Sequence, residues 1–209
     1  EWVPDTNPLK RFKVVDYETA NRDGKPFKDL VEYFNSHGNN GGLPNVTNRM
    51  CTSHLKIKTR QYYAKSIGWN NDWICAIGLR ADEPNRVMKS RQTNDPWERC
   101  WPLYEANLSV HDIVSWWKLQ PFDLQISVDS KGVSAEGNCD LCFLKNVPKK
   151  ISIIRKNPQS VNWWVDMEKS TDALFSRDHP SYSRLKEIAS QNGLFDGYDM
   201  EFQDCACTD

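Results

Sequence analysis

The 209-residue sequence has no long apolar run. Its longest, Trp73 to Leu79, is far short of the roughly 18 to 20 residues that a membrane-spanning helix needs, so a soluble chain without a membrane role is expected. No charge of one sign dominates: Lys plus Arg number 27, Asp plus Glu 28, and the formal net charge is -1. That excludes a surface that is basic throughout, and any nucleic-acid contact would be local. Glu1-Trp2-Val3-Pro4 offers no basic n-region, apolar h-region or initiator Met. No secretory leader is therefore expected, the true start of the protein is expected to lie upstream, and the expected compartment is the cytoplasm. Repeats and low-complexity segments are lacking too. His37, His54, His111 and His179 stand without Ser or Asp partners at a diagnostic spacing, which argues against a hydrolase triad.

Hydrophobic residues make up 39%, but nine Trp, eight Phe and seven Tyr supply large apolar side chains, so a folded core is expected rather than disorder. Phe12 to Tyr17 reads as a short strand. Phe27, Leu30, Val31 and Phe34 fall on one helical face within Phe27 to His37, and the Gly38-Asn39-Asn40-Gly41-Gly42 cluster ends that helix. A further helix is expected from Leu55 to Ile67. Trp73 to Leu79 reads as a parallel strand buried on both faces, followed by turn-rich sequence from Asp82 to Pro96 and a strand end at Trp101 to Tyr104. Ser109 and Ser181 are placed to cap helices, the second running to Gln191 with Gly193 beyond it. Strands alternating with helices imply α/β layering.

Seven cysteines, at 51, 75, 100, 139, 142, 205 and 207, are an odd number in a chain without a leader, which does not read as a disulfide framework. Cys75 sits in the apolar run and reads as a buried hydrophobe. Cys139-Asp140-Leu141-Cys142 is a C-x2-C pair, which aims two thiolates at one point and suits a metal better than a redox dithiol. Cys205-Ala206-Cys207 offers further sulfur, and Arg49 and Lys56 beside Cys51 are expected to favour its thiolate. Four sulfur ligands suit tetrahedral zinc or a four-iron cluster alike.

Charge is unevenly distributed. Arg49 to Lys65 carries five bases and no acid, and Phe143 to Val165 carries Lys145, Lys149, Lys150, Arg155 and Lys156 without an acid. Both runs are candidate anion sites or solvated faces. With the interleaved Tyr62, Tyr63, Trp163 and Trp164, they would also suit base stacking beside a basic groove, the basis of a rival reading as a non-catalytic, metal-stabilised module that binds nucleic acid. The same tryptophans would equally serve core packing. Arg80, at the carboxyl end of the apolar strand, is placed either to fork onto a phosphate or sulfate or to pair with Asp82 or Glu83.

Met50 to Lys56, Ile77 to Glu83 with Arg86, Trp101 to Tyr104, and Gly137 to Lys145 resemble, in that order, motifs of the phosphoadenosine phosphosulfate reductase family. The resemblance runs from about Lys13 onward and is greatest to short phage and bacterial iron–sulfur members. It implies a doubly wound, mostly parallel α/β sheet of the adenine nucleotide alpha-hydrolase-like type, with residues 1–125 forming the C-terminal part of a nucleotide-binding domain and residues 126–209 a Cys-rich cluster region. It implies a 4Fe-4S cluster on Cys51, Cys139, Cys142 and one tail cysteine, Cys207 ahead of Cys205, with zinc as the alternative metal, and an adenine nucleotide, ATP or an adenylyl sulfate, contacted by Lys56, Arg80 and Arg86. Reductases of the family use a thiolate near the C-terminus, here Cys205, to attack the sulfur of the adenylyl sulfate, and thioredoxin-type thiols then release sulfite. Relatives instead adenylate a substrate with ATP before sulfur transfer. The usual Glu-Cys-Gly-hydrophobic-His ending is absent, as is the pyrophosphate-binding Ser-Gly-Gly-x-Asp-Ser loop. By this resemblance the sheet's first strands are missing, so the chain is expected to be either a C-terminal fragment or one half of a split protein whose second chain supplies the loop, and alone it is expected to be inactive.

Overall fold

The structure, a computed structural model, describes residues 1–38, 42–70, 72–123, 125 and 139–191. They form two compact units. The larger joins Glu1–Ile67 to the described part of Glu136–Thr208, and the smaller is the described part of Gly68–Ala135. Residues 1–67, expected within a nucleotide-binding region, thus share a unit with Cys139 and Cys142.

In the larger unit, α1 (Lys25–Ser36) follows Gly24, whose φ of 81° suits glycine. A Cβ at Gly24 would lie 2.6 Å from Trp163 Nε1, so the close approach of that ring demands glycine as well. The face expected from the sequence is the one that packs: Leu30 and Val31 are fully buried, with Phe27 and Phe34 beside them. The helix expected from Leu55 to Ile67 begins earlier and in another form. Cys51–Lys58 is π-helical and leads into α2 (Thr59–Ser66). At the junction both the amide and the hydroxyl of Thr59 reach back to the His54 carbonyl, the hydroxyl at 2.6 Å, five residues away as in a π-helical turn.

The rest of this unit is α6 (Val147–Lys156), α7 (Asn162–Thr171) and α8 (Tyr182–Ser190). Asn146 caps α6 by accepting from the Lys149 amide, and Ser181 caps α8 by accepting from Arg184, the start expected at Ser181. Gly193 lies outside the described residues. Ile151, Ile154, Trp164 and Leu185 carry the core, and Trp164 packs on Phe175 and Tyr182 at ring separations of 5.0 and 5.1 Å. Trp163 lies edge-on to Phe27 at 5.1 Å. Trp164 is thus buried in the core, and Trp163, partly buried, packs against it.

The smaller unit contains β1 (Ile74–Ala76), α3 (Pro84–Arg91), β2 (Glu98–Cys100), α4 (Pro102–Glu105) and α5 (Val110–Lys118). β1 and β2 pair in parallel, Ile74 opposite Glu98 and Ala76 opposite Cys100. Parallel pairing with a helix in the crossover gives this unit α/β character. Cys75 is buried as expected, but Ile74 is 60% exposed, so the strand is one-sided where a strand covered on both faces was expected. With two strands among the described residues, the second face has nothing to cover it. Trp73 stacks on Trp97 at 4.7 Å.

Three local expectations fail for identifiable reasons. Phe12 to Tyr17 is not a strand: Lys13 exchanges two backbone hydrogen bonds with Glu1, and Val14 and Tyr17 stay exposed, so β propensity finds no sheet to join. The turn-rich stretch from Asp82 to Pro96 contains α3, because Pro84 in its first turn pre-sets helical φ. Trp101 to Tyr104 enters a helix rather than ending a strand, again with proline at its start. At α5 the expectation holds, with Ser109 and Asp112 forming a reciprocal capping box. No helix among the described residues is long and apolar enough to cross a membrane.

Candidate metal centre

Cys139 to Phe143 is a tight turn whose polar backbone is engaged from several sides. The Cys142 amide donates to the Cys139 carbonyl at 3.4 Å, and the Lys145 amide donates to the Cys142 carbonyl at 2.9 Å. Side chains do the rest: the Lys145 ammonium donates to the Cys139 carbonyl, the Tyr182 hydroxyl to the Leu141 carbonyl, and the Lys150 ammonium to the Phe143 carbonyl at 3.2 Å. Asp140 Oδ1 accepts from Trp164 Nε1 at 3.2 Å and from the Leu141 amide at 2.7 Å. Leu141, fully buried, anchors the turn in the core. Helices α6, α7 and α8 each contribute one of these side chains, Lys150, Trp164 and Tyr182. Holding a short turn this tightly fixes where its two sulfurs point.

Cys139 is exposed and Cys142 buried, and none of the five described cysteines is in a disulfide. Cys51, at the first position of the π-helical segment, is half-buried. Burial pushes its thiol up, and the neighbouring Cys139 adds to this, against the Thr52 amide and Lys56 that pull it down. The expectation of a thiolate favoured by neighbouring cations is thus reversed by desolvation in the metal-free chain. The same entry of Cys139 into the environment of Cys51 brings together two sulfurs 88 positions apart in sequence. Among the described residues no group of three or more His, Cys, Asp or Glu side chains is set to hold a metal ion. Cys205 and Cys207 lie outside the described residues. In donor chemistry three thiols suit a thiolate-bound metal, and these three share one unit, with Cys139 acting electrostatically on Cys51.

The surroundings are cationic. Lys145, Lys149 and Lys150 are at most 3% exposed, so the run from Phe143 to Val165 is not a solvated face at these positions. Burial pushes Lys150 down to about 8, against the pull of Cys142 and Glu168. Glu168, raised by its own burial, accepts from the Tyr182 amide at 2.8 Å and the Phe175 amide at 3.4 Å. Burial lifts the Tyr182 hydroxyl well above its ordinary value, with Cys142 and Glu168 adding to the effect. Tyr182, Glu168 and His179 were not singled out from the sequence as partners of the C-x2-C turn. Their spacing from it, 26 to 40 residues from Cys142, carries no local signal. Lys145, two residues past Phe143, did carry one.

Of the residues expected to contact nucleotide, Lys56 belongs to the larger unit and Arg80 and Arg86 to the smaller. Lys56 is exposed on the π-helical segment. Arg80 Nε pairs with Asp82 Oδ1 at 3.0 Å, and Glu83 pairs with both Arg80 and Arg86. The acid-paired alternative for Arg80 is the one the structure contains. A concavity of about 720 Å³ in the larger unit, between Leu43–Thr47 and Asp172–Asp178, is lined by none of these three cations. His54 lies edge-on to Phe34 at 4.5 Å, and its Nδ1 is buried without a hydrogen-bond partner.

No family model and no solved structure matches the chain. It is similar to a protein of Escherichia phage lambda described as the uncharacterized nin region protein ORF290, with 35% identity over 128 residues. That match covers 60% of this chain and 37% of the relative, so the chain spans little more than a third of the length of the curated relative it matches.

Proposed function

We propose that the larger unit holds a thiolate-ligated 4Fe-4S cluster on Cys51, Cys139, Cys142 and Cys207, in a phosphoadenosine phosphosulfate reductase-like protein that carries out nucleotide-linked sulfur chemistry. The observation that carries the metal assignment is the Cys139 to Phe143 turn, its carbonyls engaged by Lys145, Tyr182 and Lys150. A C-x2-C turn held by side-chain hydrogen bonds, beside a third cysteine and buried cations, suits an anionic metal–thiolate group. When bound, such a cluster supplies negative charge and a redox-active centre tuned by its surroundings. This chain's own residues orient the sulfurs, exclude water with Leu141 and Phe143, and present cations on the protein side.

The reaction class rests on the resemblance alone: a doubly wound sheet, an adenine nucleotide, Cys205 as the thiol that would take up sulfur, a thioredoxin-type reductant, and a second chain bearing the pyrophosphate loop. Arg80 and Arg86 would meet the nucleotide's anionic groups only by exchanging Asp82 or Glu83 for them. Those ion pairs favour a second reading, a metal-stabilised module without catalysis, in which a single zinc replaces the cluster. Nucleic-acid binding by that module would show as an affinity that falls steeply with salt.

Anaerobic purification, a visible spectrum, and iron, sulfide and zinc counts on one sample test the proposal. About four irons per chain with broad absorbance are expected. Cys139→Ser is expected to lose metal and stability together, because site formation is coupled to folding, whereas Cys75→Ala is expected to keep its metal. A Cys139→Ser protein with full metal content would remove the assignment.

A further inference from the structure

Lys150 is the most deeply buried charged side chain among the described residues, 1% exposed. Its ammonium donates to the Phe143 carbonyl at 3.2 Å and to His179 Nδ1 at 3.0 Å, and lies 5.4 Å from the centre of the Tyr182 ring. All three partners are uncharged groups in this arrangement. Among the described residues Lys150 forms no ion pair. Glu168 acts on it only through space, its carboxylate oxygens being taken by the Phe175 and Tyr182 amides. A buried ammonium without a counter-ion is costly, and an anion bound beside it would offset that cost. Cys142, the residue preceding the Phe143 whose carbonyl Lys150 already grips, acts on the ammonium electrostatically, as Glu168 does.

We infer that Lys150 is the built-in counter-charge of the thiolate centre, a positioning residue that holds the loaded metal in place and sets its reduction potential without ligating it. The inference rests on the reading of Cys51, Cys139 and Cys142 as ligands. Its energetic logic is reciprocal: the anionic centre relieves the buried cation, and the cation favours the more negative, reduced form of the centre. His179 takes the lysine proton's hydrogen bond through Nδ1, which places its own N–H on Nε2.

The test uses the full chain, anaerobically purified, as wild type, Lys150→Met and Lys150→Arg. Metal per chain, metal release to a chelator and the midpoint potential from a dye-mediated titration are read on each. Lys150→Met is expected to weaken metal retention by about 10- to 100-fold, as loss of an outer-shell partner does, and to shift the potential to more negative values. Lys150→Arg is expected to restore retention and potential towards wild type, which a purely space-filling role would not do. Should Lys150→Met fail to fold, Lys150→Gln takes its place, keeping a donor while removing the charge. A folded, uncharged variant with wild-type release and potential overturns this inference alone, as does an Arg variant that loses metal as readily as Met. A wild-type chain that binds no metal overturns the metal reading and this inference with it.

Discussion

In the metal-free chain, Lys150 gives the fold a pH dependence of defined sign. Its conjugate acid is held at about 8 in the folded protein against 10.5 in the unfolded chain, because burial disfavours the ammonium. Below pH 8 both states are protonated, and the folded state carries the full penalty. Between pH 8 and 10.5 the unfolded chain binds more proton than the folded one, so stability rises with pH. At about 1.4 kcal/mol per pH unit the whole interval is worth roughly 3 kcal/mol, and up to about 2 kcal/mol of it falls between pH 8 and 9.5. The raised Cys51 thiol works in the opposite direction within the same interval, and the raised Tyr182 above pH 10: the unfolded chain ionises each group while the folded chain does not. Lys150→Met removes the upward contribution and leaves theirs. It also leaves the Phe143 carbonyl without its donor, a loss of about 1–3 kcal/mol, so at pH 7 the metal-free variant is expected to equal wild type or exceed it by up to about 2 kcal/mol. Urea unfolding with a chelator present, followed by far-UV circular dichroism at pH 7, 8, 9 and 9.5, measures both. A Lys150→Met profile that runs parallel to the wild-type one refutes the reasoning.

Three further outcomes are open to the same methods. Gly24→Ala places a Cβ 2.6 Å from the Trp163 ring at a positive φ, and at least about 1–2 kcal/mol of stability is expected to be lost, read as a lower Tm. Ser109→Ala breaks the capping box with Asp112 and is expected to cost about 0.5–2 kcal/mol, seen as faster amide exchange in the first turn of α5. Burial, then Lys58 and Arg11, holds His54 down to about 4, below the 6.5 of the unfolded chain, so stability is expected to fall as pH drops from 6.5 towards 4. His54→Gln should remove that part of the slope in a Tm series.

Elements whose boundaries are set by local chemistry were legible in the sequence. The α1 face of Phe27, Leu30, Val31 and Phe34, the Ser109 and Ser181 caps, and buried Cys75 all follow from spacing or from a single side chain. Elements set by their neighbours were not. Val14 and Tyr17 have strand propensity but no sheet partner, and the π-helical form of Cys51–Lys58 depends on Thr59 reaching back to His54. The C-x2-C pair announced itself, but its support did not. Lys150, Trp164 and Tyr182 converge on it through three helices, and a basic run gives no sign of whether its lysines face water or the core. Arg80 shows the same limit from the other side, because both a free anion and Asp82 suit its guanidinium.

The larger unit is discontinuous along the chain, with Gly68–Ala135 threaded between its two stretches. Residues from Cys139 onward can assemble their turn and three helices from short-range encounters, whereas Cys51 must be brought back across 88 positions of sequence. An ion gripping Cys51 and the C-x2-C turn at once would therefore act as a cross-link closing a long loop. In the chain-entropy treatment of such closures the effect on the unfolded ensemble is about 4 to 5 kcal/mol. Because that cost grows only logarithmically with loop length, the intervening unit can lengthen or shorten with little effect on it. Such a cross-link would add to the shared core, in which Phe27 meets Trp163 and Phe175, in holding the two stretches of the unit together whatever the size of what lies between them.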